Sequence, residues 1–171
     1  KAFFDHDEVA SPSDPPPRGR AASWLGWPAQ GMVQFARVTG DERALELAGK
    51  LFRYILYHGD YFDREGRWLV DIPDSAPEHP RHGAVHFHNH TLVLHGALLY
   101  AQLAGDKQML DFVVHNYEYA KGTGEPLLGF FPEHAGGPRH PQASEICSVA
   151  DMVDMALRLA SAGLGDHYWD D

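Results

Sequence analysis

Two-helix units joined by Gly-Asp turns are the feature that most constrains how this chain can fold. The sequence reads Met32-Val-Gln-Phe-Ala-Arg-Val-Thr-Gly-Asp41 in one place and Leu98-Leu-Tyr-Ala-Gln-Leu-Ala-Gly-Asp106 in another. In both, an apolar helical pattern ends at a glycine suited to a left-handed helix end, and an aspartate suited to cap the next helix follows. A third copy runs from Met152 to Asp166. The pattern predicts helical hairpins.

The spacing of these turns indicates a repeat. Gly40, Gly105 and Gly165 are 65 and 60 residues apart, and the predicted connections, roughly residues 57–90 and 121–144, are rich in Gly, Pro, His and aromatic residues. Stacked two-helix repeats form solenoids or rings, and long loops on rigid helices commonly carry functional sites. The sequence therefore predicts an all-α fold, part of an (α/α)6 toroid with its long loops on one face.

The predicted domain organisation has two parts. Residues 1–23 are predicted to be a loop or linker arm, because their prolines remove helix donors. Residues 24–171 are predicted to be a partial catalytic toroid, with hairpins near 28–57, 90–120 and 145–171. Since the third hairpin is incomplete at Asp171, we expect the remainder of the chain to complete the domain.

Composition narrows the possible partners. The net charge of −10 argues against nucleic acid, which clustered Lys and Arg bind. No apolar run reaches membrane-spanning length, no basic amphipathic stretch suggests membrane binding, and the cellular location is not indicated. Seven of the 12 histidines lie between His79 and His115, which is the first indication of a site.

The densest part of this histidine-rich region is His86-Phe-His-Asn-His-Thr91. If the segment is extended, alternation places His86, His88 and His90 on one side. With Asn89, these imidazoles could bind sugar hydroxyls, a metal ion or a carboxylate. The alternative is a polar helix start, with Thr91 or Asn89 as the N-cap and solvated imidazoles.

A glycine-bearing loop carries the next candidates, Glu133 and His134. Two phenylalanines lie just before Glu133, and they could desolvate its carboxyl group and raise its pKa, as a general acid requires. Alternatively, Glu133 is a loop carboxylate that pairs with Arg139. Glu125 is a rival carboxylate, although the proline beside it favours a turn.

The third candidate segment is Ser144-Glu-Ile-Cys-Ser-Val-Ala-Asp151 at a predicted helix start. With Ser144 as the N-cap, Glu145 and Cys147 lie near the positive end of the helix dipole, which would lower the pKa of the thiol. A carboxylate and a thiolate can supply part of a zinc site. The alternative is that Cys147, the single cysteine, is a small buried residue.

These residues resemble a known family. Glu145-Ile-Cys147 followed by Ala150-Asp151-Met152 is similar to the Glu-Thr-Cys…Asn-Met motif of the β-L-arabinofuranosidase-like glycoside hydrolases. His88-Asn-His-Thr91, followed by the helix that ends in Gly105-Asp106, resembles that family's His-Ala-Asn-Thr…Thr-Gly-Asp pattern. The resemblance covers roughly residues 84–160, and residues 28–57 more loosely.

This resemblance implies an (α/α)6 toroid with appended β domains and retaining glycosidase activity through a zinc-bound cysteine nucleophile. Glu145 and Cys147 would be zinc ligands, His88 would line the sugar subsite, and Glu133 would be the acid/base. The family's nucleophile and a further cysteine ligand lie downstream, and this chain has no second cysteine. Either they lie in further sequence, or this relative lacks the thiolate chemistry. Asp151 stands where the family has Asn.

The predicted function is therefore a glycoside hydrolase acting on a plant or microbial polysaccharide or oligosaccharide. Zinc is the cofactor that the resemblance implies; without it, Glu133 and Glu145 are the candidate catalytic pair. One alternative is a uronate polysaccharide lyase on the same fold, with a His or Tyr base and with Asn89 or Arg139 facing the substrate carboxylate. The other is a noncatalytic helical-repeat scaffold.

Overall fold

The computed structural model describes residues 24–59, 61–62, 66–68, 85–135 and 144–171. The predicted arm at 1–23 and the side chain of Arg139 lie outside these residues. The elements are α1 (Gly26–Thr39), α2 (Glu42–Tyr57), β1 (Val85–His86), α3 (Phe87–Ala104), α4 (Lys107–Lys121), β2 (His134–Ala135) and α5 (Ile146–Ser161), with short 3-10 helices at Pro126–Leu128 and Asp166–Trp169.

The described residues are mostly helical, and their two strands are two residues each, which agrees with the prediction of an all-α fold. None of the helices in the described ranges combines the length and apolar character needed to cross a bilayer.

Helix α3 is the centre of the fold. It packs against α1, α2, α4 and α5, and α1 and α2 also pack against each other. Most of its residues are buried, including Leu94, Ala97 and Leu98, which are fully covered. A helix that is apolar on all sides is expected in such a central position.

Two of the predicted Gly-Asp turns are confirmed. Gly40 (φ 74°) and Gly105 (φ 69°) adopt the left-handed conformation at the ends of α1 and α3. Asp41 then accepts hydrogen bonds from two backbone N–H groups in the first turn of α2, and Asp106 accepts one from the backbone N–H of Met109 in α4. Each hairpin is therefore closed by the residues that the sequence pattern indicated.

The third turn differs from the prediction. The left-handed glycine after α5 is Gly163 (φ 70°), whereas Gly165 is extended at φ 167°. Asp166 begins a single 3-10 turn, and the N-cap position of that turn is Gly165.

The predicted starts of α3 and α5 were wrong. Helix α3 begins at Phe87, four residues before Thr91, and its N-cap position is His86. Helix α5 begins at Ile146, with Glu145 rather than Ser144 at the N-cap position. Neither N-cap residue makes a side-chain capping bond. Both helix starts are instead held by contacts with the segment around Glu133, described next.

Candidate functional site at the helix starts

A short antiparallel pairing brings three distant segments together. β1 and β2 pair in the register Val85↔Ala135 and His86↔His134. At its end, the N–H of Phe87 donates to the carbonyl of Glu133 at 2.9 Å. On the other side, the residue before Glu133 forms a bridge with Ser144, just ahead of α5. The segment carrying Glu133 therefore lies between the starts of α3 and α5.

This arrangement gathers His86, Glu133 and Glu145. One potential ligand atom from each lies within 4.8 Å of the others, and Nε2 of His86 is 3.3 Å from Oε2 of Glu145. Their side chains are 25%, 31% and 32% exposed, respectively. The three groups are held by backbone elements yet remain open to a ligand.

His134 adjoins these residues. Its Nδ1 is 3.5 Å from Oε1 of Glu133, and its ring centroid is 5.3 Å from that of His86. We call His86, Glu133, His134 and Glu145 the Glu/His cluster. All four were candidate site residues in the sequence. Two carboxylates and two imidazoles in this arrangement can bind a divalent cation or exchange protons with a substrate.

Cys147 contacts the edge of the cluster. Its Sγ is 3.4 Å from Oε2 of Glu145, so a neutral thiol donates to that carboxylate. Burial raises the pKa of the Cys147 thiol, and the hydrogen bond to Glu145 and its negative charge raise it further. The expectation that the helix start lowers this pKa was wrong, because burial and the carboxylate two residues away both disfavour the thiolate.

His88 lies beside the cluster in a second polar group. Its Nδ1 is 2.7 Å from Oδ2 of Asp151, and the hydroxyl of Thr91 donates to the same oxygen at 2.5 Å. The ring of Trp27 stands edge-on to His88 with centroids 6.2 Å apart, and Trp27 is 57% exposed. Asn89 is half-buried, and among the described residues its side chain makes no hydrogen bond with either group.

Sequence reasoning treated Asp151 only as a departure from a family motif. A signal was nevertheless present: Ser148, Met152 and Met155 mark the buried face of α5, and Asp151 adjoins that face. A carboxylate at the edge of a buried helix face needs a partner. Its partner could not be named, because His88 lies 63 residues away in the sequence.

His90 is not part of the open site, which corrects its assignment as a substrate-binding residue. It is fully buried, and its ring is stacked between those of Tyr61 (3.8 Å between centroids) and Trp68 (4.4 Å). Its ring nitrogens lie 3.3 and 3.4 Å from the carbonyl oxygens of Tyr61 and His86. Burial lowers the pKa of His90 to about 3. The residue clamps the segment around Tyr61 onto α3.

His95 makes a further polar link, which the sequence did not indicate. Its Nδ1 is 3.1 Å from Nε2 of Gln30 in α1, and its Nε2 contacts the carboxylate of Asp154 in α5. Asp154 also accepts from Arg158 at 2.7 Å. Burial lowers the pKa of His95, which the charge of Asp154 opposes. This chain of contacts joins α1, α3 and α5.

Comparison of the chain with models of known protein families and with curated proteins finds no match. The candidate site therefore rests on the geometry of these side chains.

Proposed function

We propose that this protein is a glycoside hydrolase whose active site is the Glu/His cluster. The observation that carries the proposal is the approach of Glu133 and Glu145, from separate segments, to within 4.8 Å at the ligand atoms. Glycosidases that retain configuration hold two carboxyl groups about 5–5.5 Å apart, and those that invert it about 6.5–9.5 Å apart. The pair fits the retaining geometry better.

The surroundings of the two carboxylates favour distinct roles. Glu145 accepts a hydrogen bond from the thiol of Cys147 and lies beside Nε2 of His86, contacts that suit an anion attacking the anomeric carbon. Glu133 then acts as the acid, giving its proton to the glycosidic oxygen as the bond to the leaving group breaks. In the second step Glu133 takes a proton from water, and the hydroxide displaces Glu145 from the sugar.

The zinc ion that the family resemblance implies would be an alternative occupant of the same donors, because the two catalytic carboxylates would then bind the ion instead of acting as acid and nucleophile. His86, Glu133 and Glu145 would hold it, since imidazole nitrogen and carboxylate oxygen are both zinc ligands, and Cys147 adjoins them. A bound ion would supply Lewis-acid polarisation of a substrate oxygen. This ligand set differs from the Glu145–Cys147 pair that the resemblance implies. His86 and Glu133 join Glu145, whereas the protonated thiol of Cys147 lies outside the set.

The same charges favour a neutral sugar over a uronate. A substrate carboxylate placed at the cluster would face both Glu133 and Glu145, and like charges at such distances repel. Of the two residues expected to face the substrate carboxylate in a lyase, Asn89 carries no charge and Arg139 lies outside the described residues. Trp27 and His88 beside the cluster supply an apolar wall and a polar group, the combination that ligand pockets use to bind and orient a small molecule.

The hairpin packing supports a toroid as part of this proposal. The first helices of successive hairpins, α1, α3 and α5, pack side by side, with α2 and α4 as their partners. On α5, Ile146, Val153 and Leu157 lie on one face at helical spacing and are 87%, 48% and 48% exposed. In a ring, this face would pack against the next inner helix.

The test is hydrolysis of a panel of aryl and oligomeric glycosides, including L-arabinofuranosides, by the full-length protein. Removing an acid/base or nucleophilic carboxylate costs about 10²–10⁴ in rate, so Glu133→Gln and Glu145→Gln should each lose activity by such a factor. Glu125→Gln is the matched control, because Glu125 is an exposed carboxylate at the beginning of the same loop.

The stereochemistry of the product tests the assignment of roles. We expect proton NMR to show the anomer of retained configuration first, and a 2-deoxy-2-fluoro glycoside to label Glu145. An inverted product, or full activity in both cluster variants, would overturn the proposed chemistry.

A further inference from the structure

We propose that Asp151 is a positioning residue that fixes the tautomer of His88, so that Nε2 of His88 presents a lone pair to a hydroxyl group of the sugar. The sugar part of this proposal rests on the proposed function, whereas the tautomer does not.

The hydrogen bonds around Asp151 set the direction of each proton. The hydroxyl of Thr91 has one proton and three acceptors in reach: the carbonyl oxygens of Phe87 at 3.3 Å and His88 at 3.2 Å, and Oδ2 of Asp151 at 2.5 Å. The shortest contact is to the carboxylate, which is the strongest acceptor of the three. Thr91 therefore donates to Asp151.

A carboxylate that is already accepting from Thr91 still has lone pairs for His88, but it has no proton to give. The 2.7 Å contact between Nδ1 of His88 and Oδ2 of Asp151 therefore requires the proton on Nδ1. In a neutral imidazole, Nε2 is then an acceptor. Carboxylates orient histidines in this way in metal sites and catalytic triads.

The remaining nitrogen is available to a ligand. Among the described residues Nε2 of His88 makes no hydrogen bond, and the side chain is 21% exposed. The ring of His88 is 6.3 Å from that of His86, which belongs to the Glu/His cluster, and 6.2 Å from that of Trp27. An acceptor between a carboxylate cluster and an exposed indole suits a sugar hydroxyl at a position next to the bond that is cleaved.

The supporting pair is largely enclosed between α3 and α5. Thr91 is fully buried and Asp151 is 13% exposed, so little solvent competes for the hydrogen bonds that the carboxylate accepts. Thr91 therefore anchors Asp151 and Asp151 orients His88, a role of positioning rather than of direct chemistry.

The experiment measures the tautomer directly. In ¹⁵N-labelled full-length protein at pH 8, the long-range ¹H–¹⁵N imidazole spectrum should show His88 with its proton on Nδ1. In Asp151→Asn the amide can donate to Nδ1, so we expect the proton to move to Nε2. Thr91→Val should leave the proton on Nδ1, because the carboxylate remains.

Asp154→Asn is the matched control, since Asp154 lies one turn further along α5 and contacts His95 instead. It should alter the resonances of His95 and leave those of His88 unchanged. A neutral His88 with its proton on Nε2 in the wild-type protein would overturn the proposal. This measurement uses the wild type alone, so it does not depend on whether a variant folds.

Kinetics then test the sugar contact. Asp151→Asn should raise KM for the best glycoside of the panel by about fivefold, as expected for the loss of one positioned hydrogen bond, with a smaller change in kcat. An unchanged KM would overturn the sugar contact. A chain with the expected tautomer and no glycosidase activity would overturn the proposed function and leave the role of Asp151 in place.

Discussion

His90 shows how a single buried imidazole can make stability depend on pH. The ring lies between two aromatic rings and has no exposed surface, so its charged form is disfavoured and its pKa falls to about 3. The neutral ring carries one N–H, which donates to only one of the two nearby carbonyls at a time. The clamp therefore depends on the neutral state.

The first prediction follows from that lowered pKa. Between pH 6.5 and 3 the unfolded chain binds a proton at His90 that the folded chain does not, so stability is lost as pH falls below about 6.5. Between pH 7 and pH 5 this amounts to about 2 kcal/mol. Urea unfolding measures the free energy of unfolding at pH 7 and at pH 5. The loss between the two pH values should be smaller by about that amount in His90→Phe than in the wild type, although the variant is less stable at both. An equal difference in both proteins would contradict the prediction.

The thiol of Cys147 gives a second prediction at this scale. Because burial and Glu145 raise its pKa, alkylation by iodoacetamide at pH 8 should be slower in the folded protein than in urea. Glu145→Gln removes the negative charge that disfavours the thiolate, so the rate should rise severalfold. The chain has one cysteine, so mass spectrometry of the labelled protein reports on this residue alone. Equal rates in the folded and unfolded chain would argue against the raised pKa.

Sequence pattern identified most residues of the site but not their environments. His86, His88 and His90 were expected on one side of an extended segment, and instead they lie in the Glu/His cluster, against Asp151 and in the core, respectively. The reason is that α3 begins at Phe87, so successive side chains turn by about 100° rather than alternating. Burial of His90 also depended on Trp68, whose position no local pattern predicts.

At the scale of elements, glycines set how closely α2 and α3 approach. A Cβ atom on Gly96 of α3 would lie 2.7 Å from the ring of Phe52 in α2, and one on Gly49 of α2 would lie 2.3 Å from the hydroxyl of Tyr100 in α3. Each helix therefore receives a large aromatic ring of its neighbour at a position without a side chain. These contacts fix the hairpins against each other.

A pair of glycine-to-alanine variants tests this packing. Gly96→Ala should destabilise the protein by about 1–3 kcal/mol, because Phe52 must shift in a close-packed core. Gly31→Ala is the control: it lies within α1 with nothing near its Cβ position, so it should stabilise by about 0.5–1 kcal/mol. The shift of the urea unfolding midpoint, at an unchanged m-value, measures the change in stability of each variant. A neutral Gly96→Ala would show that the α2–α3 contact can relax.

The elements that sequence predicted well are those fixed by neighbouring residues. The turns at Gly40-Asp41 and Gly105-Asp106 form from their own side chains and backbone, and both were predicted. The starts of α3 and α5 were misplaced because the β1–β2 pair and the bridge to Ser144 hold them. The local sequence around Thr91 or Ser144 does not predict such long-range pairing.

At the scale of the whole molecule, the Glu/His cluster exists only in the folded chain, since His86, Glu133 and Glu145 come from three segments. A ligand that bridges them must therefore stabilise the fold. The all-α class could be predicted from the hairpin pattern, and so could three of the segments that carry the site. Their convergence could not, because nothing in the residues near His86 specifies that Glu133 lies opposite it.

Metal binding supplies the prediction at this scale. Zinc at a hundredfold excess over its Kd should raise the free energy of unfolding of the metal-free protein by about 2.7 kcal/mol, which raises the temperature of the unfolding midpoint. Glu133→Gln should remove most of this stabilisation, and Glu125→Gln should keep it. Scanning calorimetry with and without zinc measures the effect. Stabilisation that persists in Glu133→Gln, or no stabilisation of the wild type, would exclude the three-residue cation site.

The pairing of His86 with His134 limits which insertions and deletions the site can tolerate. Because side chains alternate along a strand, a shift of β2 by one residue would turn each of its side chains to the opposite face and bring Pro132 or His134 to the position that Glu133 occupies. A single-residue insertion or deletion in the loop before Glu133 would therefore replace the acid while leaving every helix intact. The length of that loop is thus under tighter constraint than its composition.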